Sequence, residues 1–309
     1  MPYQSLLPIF VFFFIGIALR LAGVAGREQA AFLFRIVLNV TLPALVFTAV
    51  AEAELTRTTL LLPASGFTVD GICTLAAVLC ARLAGLGHRQ AGALVLGAGI
   101  TNMLFSFPFV LAGLGRAALA EAILYDVGNA VFFATAAYSL ALRYGHAEGA
   151  KVAATLLKTL RAPIFLAIAA GVVVNALGLS VPHVVTQVLA PLGACTTPLV
   201  LMAVGIFFSV AGLFGLLPAV TLLLRMPLGF AAGLVVAWLL GLHGLTAAVV
   251  AVAGAAPIGF NSVTLVSMAD LDTEQAASAL SLSIAVGMVS TTVLLMVATT
   301  WLGLGQSSI

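Results

Sequence analysis

A few polar side chains stand inside long apolar runs, where each must find a partner or a ligand. Asp70 lies in "GFTVDGICT" and Arg225 in "LLLRMPLGF", 155 positions apart. A charge at the centre of a bilayer costs roughly 2.5–3.5 kcal/mol on insertion scales, so each should face protein or water. The pair could form one structural ion pair. Alternatively, the Arg225 guanidinium could take a substrate carboxylate bidentately while Asp70 couples or gates. A third acid, Asp126 in "YDVGNAVFF", shares a helix face with Asn129, and it could couple an ion or rest as a water-bound acid. Asn102 with Pro108 in "ITNMLFSFP", and Pro257 with Asn261 and Ser262 in "AAPIGFNS", combine an amide with a residue that breaks the helix ladder. Asn39 and Thr41 precede Pro43 in "LNVTLPALVF", where they could meet a ligand or satisfy a kinked backbone. Such groups can bind small polar molecules at a break, because freed N–H groups and half-helix N-termini attract anions.

The elements that must hold these residues are membrane helices. Hydrophobic residues make up 63% of the 309 and charged ones 7%, against about 25% charged in an ordinary soluble domain. The apolar runs are continuous rather than alternating, which points to helices and excludes a barrel. Ten spans are expected, near 5–22, 35–51, 60–82, 91–114, 119–142, 162–178, 184–209, 217–241, 246–268 and 274–302. The hydrophilic stretch 146–161 separates a first set of five (1–145) from a second (162–309). The first joints, taken alternately, place Arg20, Arg27, Arg35, Arg82, Arg89, Arg143, Lys151, Lys158 and Arg161 on one side and Arg57 and Arg116 on the other. The positive-inside rule then puts both termini outside the cytoplasmic membrane. The opening "MPYQSLLPIF" lacks the basic start and cleavage site of a signal peptide, so the first helix is expected to stay.

The two fives are related. At an offset of 155, Pro8, Pro43 and Pro63 fall on Pro163, Pro198 and Pro218, and Gly16 and Gly23 on Gly171 and Gly178. Three coincident proline pairs compare with roughly 0.2 expected by chance, a repeat at fixed period. The same offset lays Gly99 on Gly254 and Asn102 on Pro257, so spans four and nine carry equivalent breaks with these glycines as hinge positions. An odd number of spans per copy inverts the second copy, the pattern of secondary transporters with mid-membrane sites on broken helices.

The motifs "LNVTLPALVFTAV", "YDVGNAVFF", "LLKTLRAPIFLAIAAGVVVNALGLSVP" and "AAPIGFNSVTLV" followed by "LDTEQAASALSLS" resemble, in order and spacing, the auxin efflux carrier family. That family includes plant auxin carriers and bacterial malonate or malate carriers. The resemblance implies an all-α integral membrane fold of ten helices, built as two inverted five-helix repeats with broken crossover helices in spans four and nine. It implies a scaffold of spans one, two, six and seven that forms a homodimer, and an elevator of spans three to five and eight to ten. Asn102 matches the family's crossover asparagine, Pro257 its crossover proline, and Asp126 with Asn129 its span-five polar pair. After Asn102, this chain departs from the pattern that the resemblance implies: glycines usually precede a proline seven residues on, whereas here Leu104 and Phe107 stand in that interval and Pro108 comes at six.

The expected function is secondary transport of small organic anions, dicarboxylates or auxin-like acids, with proton, sodium or potential-driven coupling left open. A sodium-coupled symporter of the bile-acid type is the nearest alternative, and a channel or receptor a further one. Neither a Ser–His pair sharing a span nor metal-ligand spacing is present, so no enzyme, metal or organic cofactor is expected. Cys73, Cys80 and Cys195 read as packing residues, and no basic patch suggests nucleic acid.

Overall fold

The computed structural model describes residues 2–145, 152–209 and 215–302. Lys151, the start of the expected linker (146–151) and the last seven positions lie outside the described residues. The described chain is helical, and its one β-type contact is an isolated antiparallel bridge between Thr101 and Ile258. The helices are α1 (Pro2–Leu21), α2 (Arg27–Ile36), α3 (Leu42–Ala51), α4 (Leu62–Leu83), α5 (His88–Gly99), α6 (Met103–Phe132), α7 (Tyr138–Tyr144) and α8 (Val152–Leu160). They continue as α9 (Pro163–Ala176), α10 (His183–Ala194), α11 (Thr196–Phe207), α12 (Leu216–Leu239), α13 (Gly244–Gly254), α14 (Phe260–Met268) and α15 (Thr273–Trp301).

Among the described residues, seven helical stretches are long and apolar enough to cross a membrane, or eight if α8 and α9, bent by 56°, count as one span. The difference from ten has local causes. At 1.5 Å per residue, helices of the length of α5 and α13 reach only about 18 Å, well short of a hydrocarbon core of about 30 Å. Each stops at a break, α5 at Gly99 and α13 at Gly254. Beyond the first break, the helical stretch 103–144 counts as one span although Gly115 interrupts it with φ 86° and ψ −174°. Only glycine adopts that conformation without steric cost, and it marks the joint between the fourth and fifth expected spans.

Proline explains a second irregularity. Val37–Thr41 forms a π-helical turn between α2 and α3. Pro43 has no N–H to return to the carbonyl of Asn39, so the ladder slips by one residue there. The Asn39 side chain donates to the Arg35 carbonyl at 2.7 Å within that slip.

Two packing groups result. α1 lies along α11, while α3 lies along α9 and α10. At the first of these contacts Gly16 faces Gly205 so closely that a Cβ on either would strike the opposite backbone carbonyl. The second group is α4 against α5, α6 and α12, with α12 also against α13 and α15. Large apolar side chains such as Leu7, Phe14, Leu75, Leu166, Val184 and Trp238 point outward, as lipid-facing residues must.

Candidate functional site

The two breaks meet each other. The Asn102 N–H donates to the Pro257 carbonyl at 2.9 Å, and the Gly259 N–H donates to the Ile100 carbonyl at 2.8 Å. These bonds flank the Thr101–Ile258 bridge. Short extended backbone thus crosses short extended backbone at the centre of the fold, which satisfies groups that lipid would leave unpaired. A third bond, from Ile258 N–H to the Ser283 hydroxyl at 3.1 Å, ties the second break to α15.

Behind the crossing sits the ion pair. Arg225 Nη1 and Asp70 Oδ1 are 2.7 Å apart, with side chains 0% and 1% exposed. Arg225 also donates to the Ala98 carbonyl at 3.2 Å and to the Gly254 carbonyl at 2.9 Å. Those carbonyls close α5 and α13, so one guanidinium meets the negative dipole ends of both interrupted helices. Asp70 Oδ1 in turn accepts from the Thr101 hydroxyl at 2.6 Å, locking the charge to the first break.

The helices that restart after the breaks are finished differently. Asn102 is the N-cap of α6, and its Oδ1 accepts from the Phe105 N–H at 3.1 Å. Gly259 precedes α14, which has no side-chain cap. Both N-termini border one cavity of about 690 Å³. Asp70, Thr101, Asn102, Asp126, Asn129, Gly259 and Asn261 form its polar wall. Phe34, Leu104, Phe107, Phe133, Phe165 and Phe260 form an apolar wall, and Thr155, Lys158 and Thr159 of α8 stand along the remaining side. The cavity is lined by both packing groups, α2, α3 and α9 from one and α4, α5 and α6 from the other.

The expected site residues therefore divide. Asn102, Asn129, Asn261, Asp70, Asp126 and Gly99 line the cavity. Pro257 and Gly254 build the crossing beside it through their carbonyls. Pro108 lies in the second turn of α6, buried. Arg225 is outside the cavity wall, with both terminal nitrogens engaged by protein. Ser262 is fully buried and donates back to the Gly259 carbonyl at 2.7 Å. Asn39 and Thr41 are also outside the wall, where Leu38 and Leu42 stand instead. Asn39 serves the π-turn, and the buried Thr41 hydroxyl has no partner among the described residues.

Three contributors were not anticipated: Thr101, Ser283 and the α8 face of Thr155, Lys158 and Thr159. Thr101 could have been found, since it lies between Gly99 and Asn102 in the break itself. Ser283 sits in the uniform run "LSLSIAVG", and nothing there distinguishes it from its neighbours.

Comparison with known proteins decides the family. A family described as "Membrane transport protein" matches residues 2–295, nearly the whole chain. The chain belongs to this family, the one of the auxin efflux carriers. It is also 28% identical over 295 residues to an uncharacterized transporter of Methanothermobacter thermautotrophicus, covering 93% of this chain and 95% of that relative. The protein is thus a multi-pass membrane transporter.

Proposed function

We propose that this family member is a secondary carrier of small organic anions and not an enzyme, working by alternating access around the crossover. The observation that carries the reading is the cavity onto which two helix N-termini open beside three amides, Asn102, Asn129 and Asn261. Helix N-termini favour negative ligands, and amides can donate to a carboxylate without adding charge. The aromatic wall suits the hydrocarbon part of a carboxylic acid, and Leu104 and Phe107 narrow the site on that side.

The same reading takes the fold as ten spans in two inverted repeats. Asn102 bonds to Pro257 and Asp70 to Arg225, and each pair is 155 positions apart. Equivalent residues of two copies touch each other only near the axis that relates the copies. The Gly16 contact with Gly205 has a counterpart in Gly171 against Val50, displaced by the same amount. Spans one, two, six and seven (α1 to α3 and α9 to α11) would be the scaffold and the dimer surface, and the remainder the moving elevator. A cavity walled by both groups is what sliding between them requires. The α8 wall, with Lys158 and nearby Arg161, belongs to the basic side, so the cavity opens to the cytoplasm when the termini are outside.

The deciding experiment is counterflow in proteoliposomes with labelled acetate, malonate, malate and indole-3-acetate. Saturable exchange of at least one acid is expected. Unitary currents in a planar bilayer, with no counterflow of any acid, would sink the carrier assignment.

A further inference from the structure

One cavity group has no evident role as a binder of anions. Asp126 faces the space that the substrate carboxylate would occupy. Its protein contact is the Asn129 amide, at the long distance of 3.4 Å. The ionisable groups lining the cavity are Asp70, Asp126, Tyr138 and Lys158. Asp70 is neutralised by Arg225 at 2.7 Å. Lys158, on the exposed face of α8, makes no ion pair with Asp126.

The helices packed around α6 place no cation on the cavity wall. α4 carries Asp70, Cys73, Cys80 and, exposed in its last turn outside that wall, Arg82, while α3, α11 and α13 carry no titratable residue. Arg20 of α1 and Glu274 of α15 lie at helix ends outside the cavity wall, Arg20 bonded to the Phe208 carbonyl. On α6 itself, Tyr125 is fully buried away from the cavity wall, Glu121 accepts from Thr246, and Arg116 is paired with Glu52 outside that wall. Among the described residues, therefore, an ionised Asp126 would stand without a countercharge in a mostly apolar cavity and would repel an arriving anion.

We propose that Asp126 is the coupling group, and that each carboxylate crosses together with one proton held on it. This rests on the organic-anion reading above. In the loaded state, a water-derived proton sits on one Asp126 oxygen, and that O–H donates to the substrate carboxylate. On the opposite side the substrate leaves, the proton returns to water, and the carboxylate is restored. No other bond forms or breaks. Asp70 takes no part in this cycle, because its charge is held by Arg225 and Thr101 in the frame of the crossing.

The test uses whichever acid of the four-acid panel gives wild-type counterflow, with pyranine trapped in the lumen. With the outside at the lower pH and the membrane potential clamped at zero, the wild type should accumulate the acid about tenfold per pH unit and acidify the lumen in step, both faster than protein-free liposomes. Asp126→Asn should slow counterflow by a few-fold yet lose both accumulation and proton entry, and Asp126→Glu should keep them. Wild-type uptake without proton entry would overturn the proposal and needs no variant. Accumulation that follows a sodium gradient at equal pH would also overturn it, as would pH-driven accumulation by Asp126→Asn. Absence of counterflow for all four acids would instead remove the carrier reading, and this proposal with it.

Discussion

The two helices that end at the crossover are treated differently from the two that begin there. α5 and α13 end on Arg225, which donates to a terminal carbonyl of each and is neutralised by Asp70. α6 begins with an asparagine cap and α14 with none, and both starts face open space. One side of the crossing is a closed electrostatic joint; the other offers unspent positive dipole. The contrast separates what holds the break together from what can recognise a ligand. It also assigns the two buried ionic residues to the frame, although a sequence reading treats a charge in a membrane span as a functional group first.

The sharpest way to break the contrast is to remove one member of the joint. Arg225→Ala or Asp70→Ala alone leaves an uncompensated charge at the crossing and should cost about 3–5 kcal/mol of stability. Thermal unfolding in detergent would register it. Replacing both, as Asp70→Asn with Arg225→Met, should recover part of that loss but not all, since the carbonyls of Ala98 and Gly254 lose their donor. Full recovery would mean that the guanidinium does not stabilise the helix ends. A single variant as stable as the wild type would mean that the pair is no joint at all.

Pro257 tests the break rather than the clamp. Alanine at that site regains a backbone N–H and favours a helix interior by about 3 kcal/mol over proline. Pro257→Ala should therefore insert and fold normally while lengthening α13 into the crossing, and counterflow should fall at least tenfold. Unchanged counterflow would return the segment to an ordinary helix kink.

Much of this arrangement is legible in the residues. The shared offset picks out Asp70 with Arg225 and Asn102 with Pro257, and both pairs touch. Glycine and proline mark the breaks and the turn at Gly115. What cannot be read is where donors go once helices pack. No spacing rule says that Arg225 will reach two carbonyls on two other helices, or that Ser283 will receive the Ile258 N–H. Nor does any pattern bring α8 to the cavity, because its neighbours are chosen by tertiary folding. Asn39 and Thr41 mislead for a related reason. The residue types that bind ligands at a break also repair the backbone at a kink, by local side-chain bonds.

The amides of the open side can be ranked among themselves. Asn102 both caps α6 and lines the cavity, so Asn102→Ala should lower stability by about 1 kcal/mol and also weaken substrate binding. Asn261 is exposed to the cavity and makes no side-chain hydrogen bond among the described residues. Asn261→Ala should leave the melting temperature in place and raise the half-saturating substrate concentration roughly tenfold, the value of a hydrogen bond to a charged group. Equal losses of stability in the two variants would erase the distinction between frame and recognition.

The smallest effect belongs to the asparagine outside the cavity. Asn39 is exposed, and its amide serves the Arg35 carbonyl in the π-turn. Water can replace that donor at an exposed site, so Asn39→Ala should change stability by less than about 0.5 kcal/mol. Its counterflow should match the wild type in both rate and half-saturation. Asn39→Ala and Asn261→Ala remove the same amide from the same chain, one from a kinked helix and one from the cavity wall. If both raised the half-saturating concentration alike, the ligand would have to reach the π-turn, and the cavity as drawn would be too small to be the whole site.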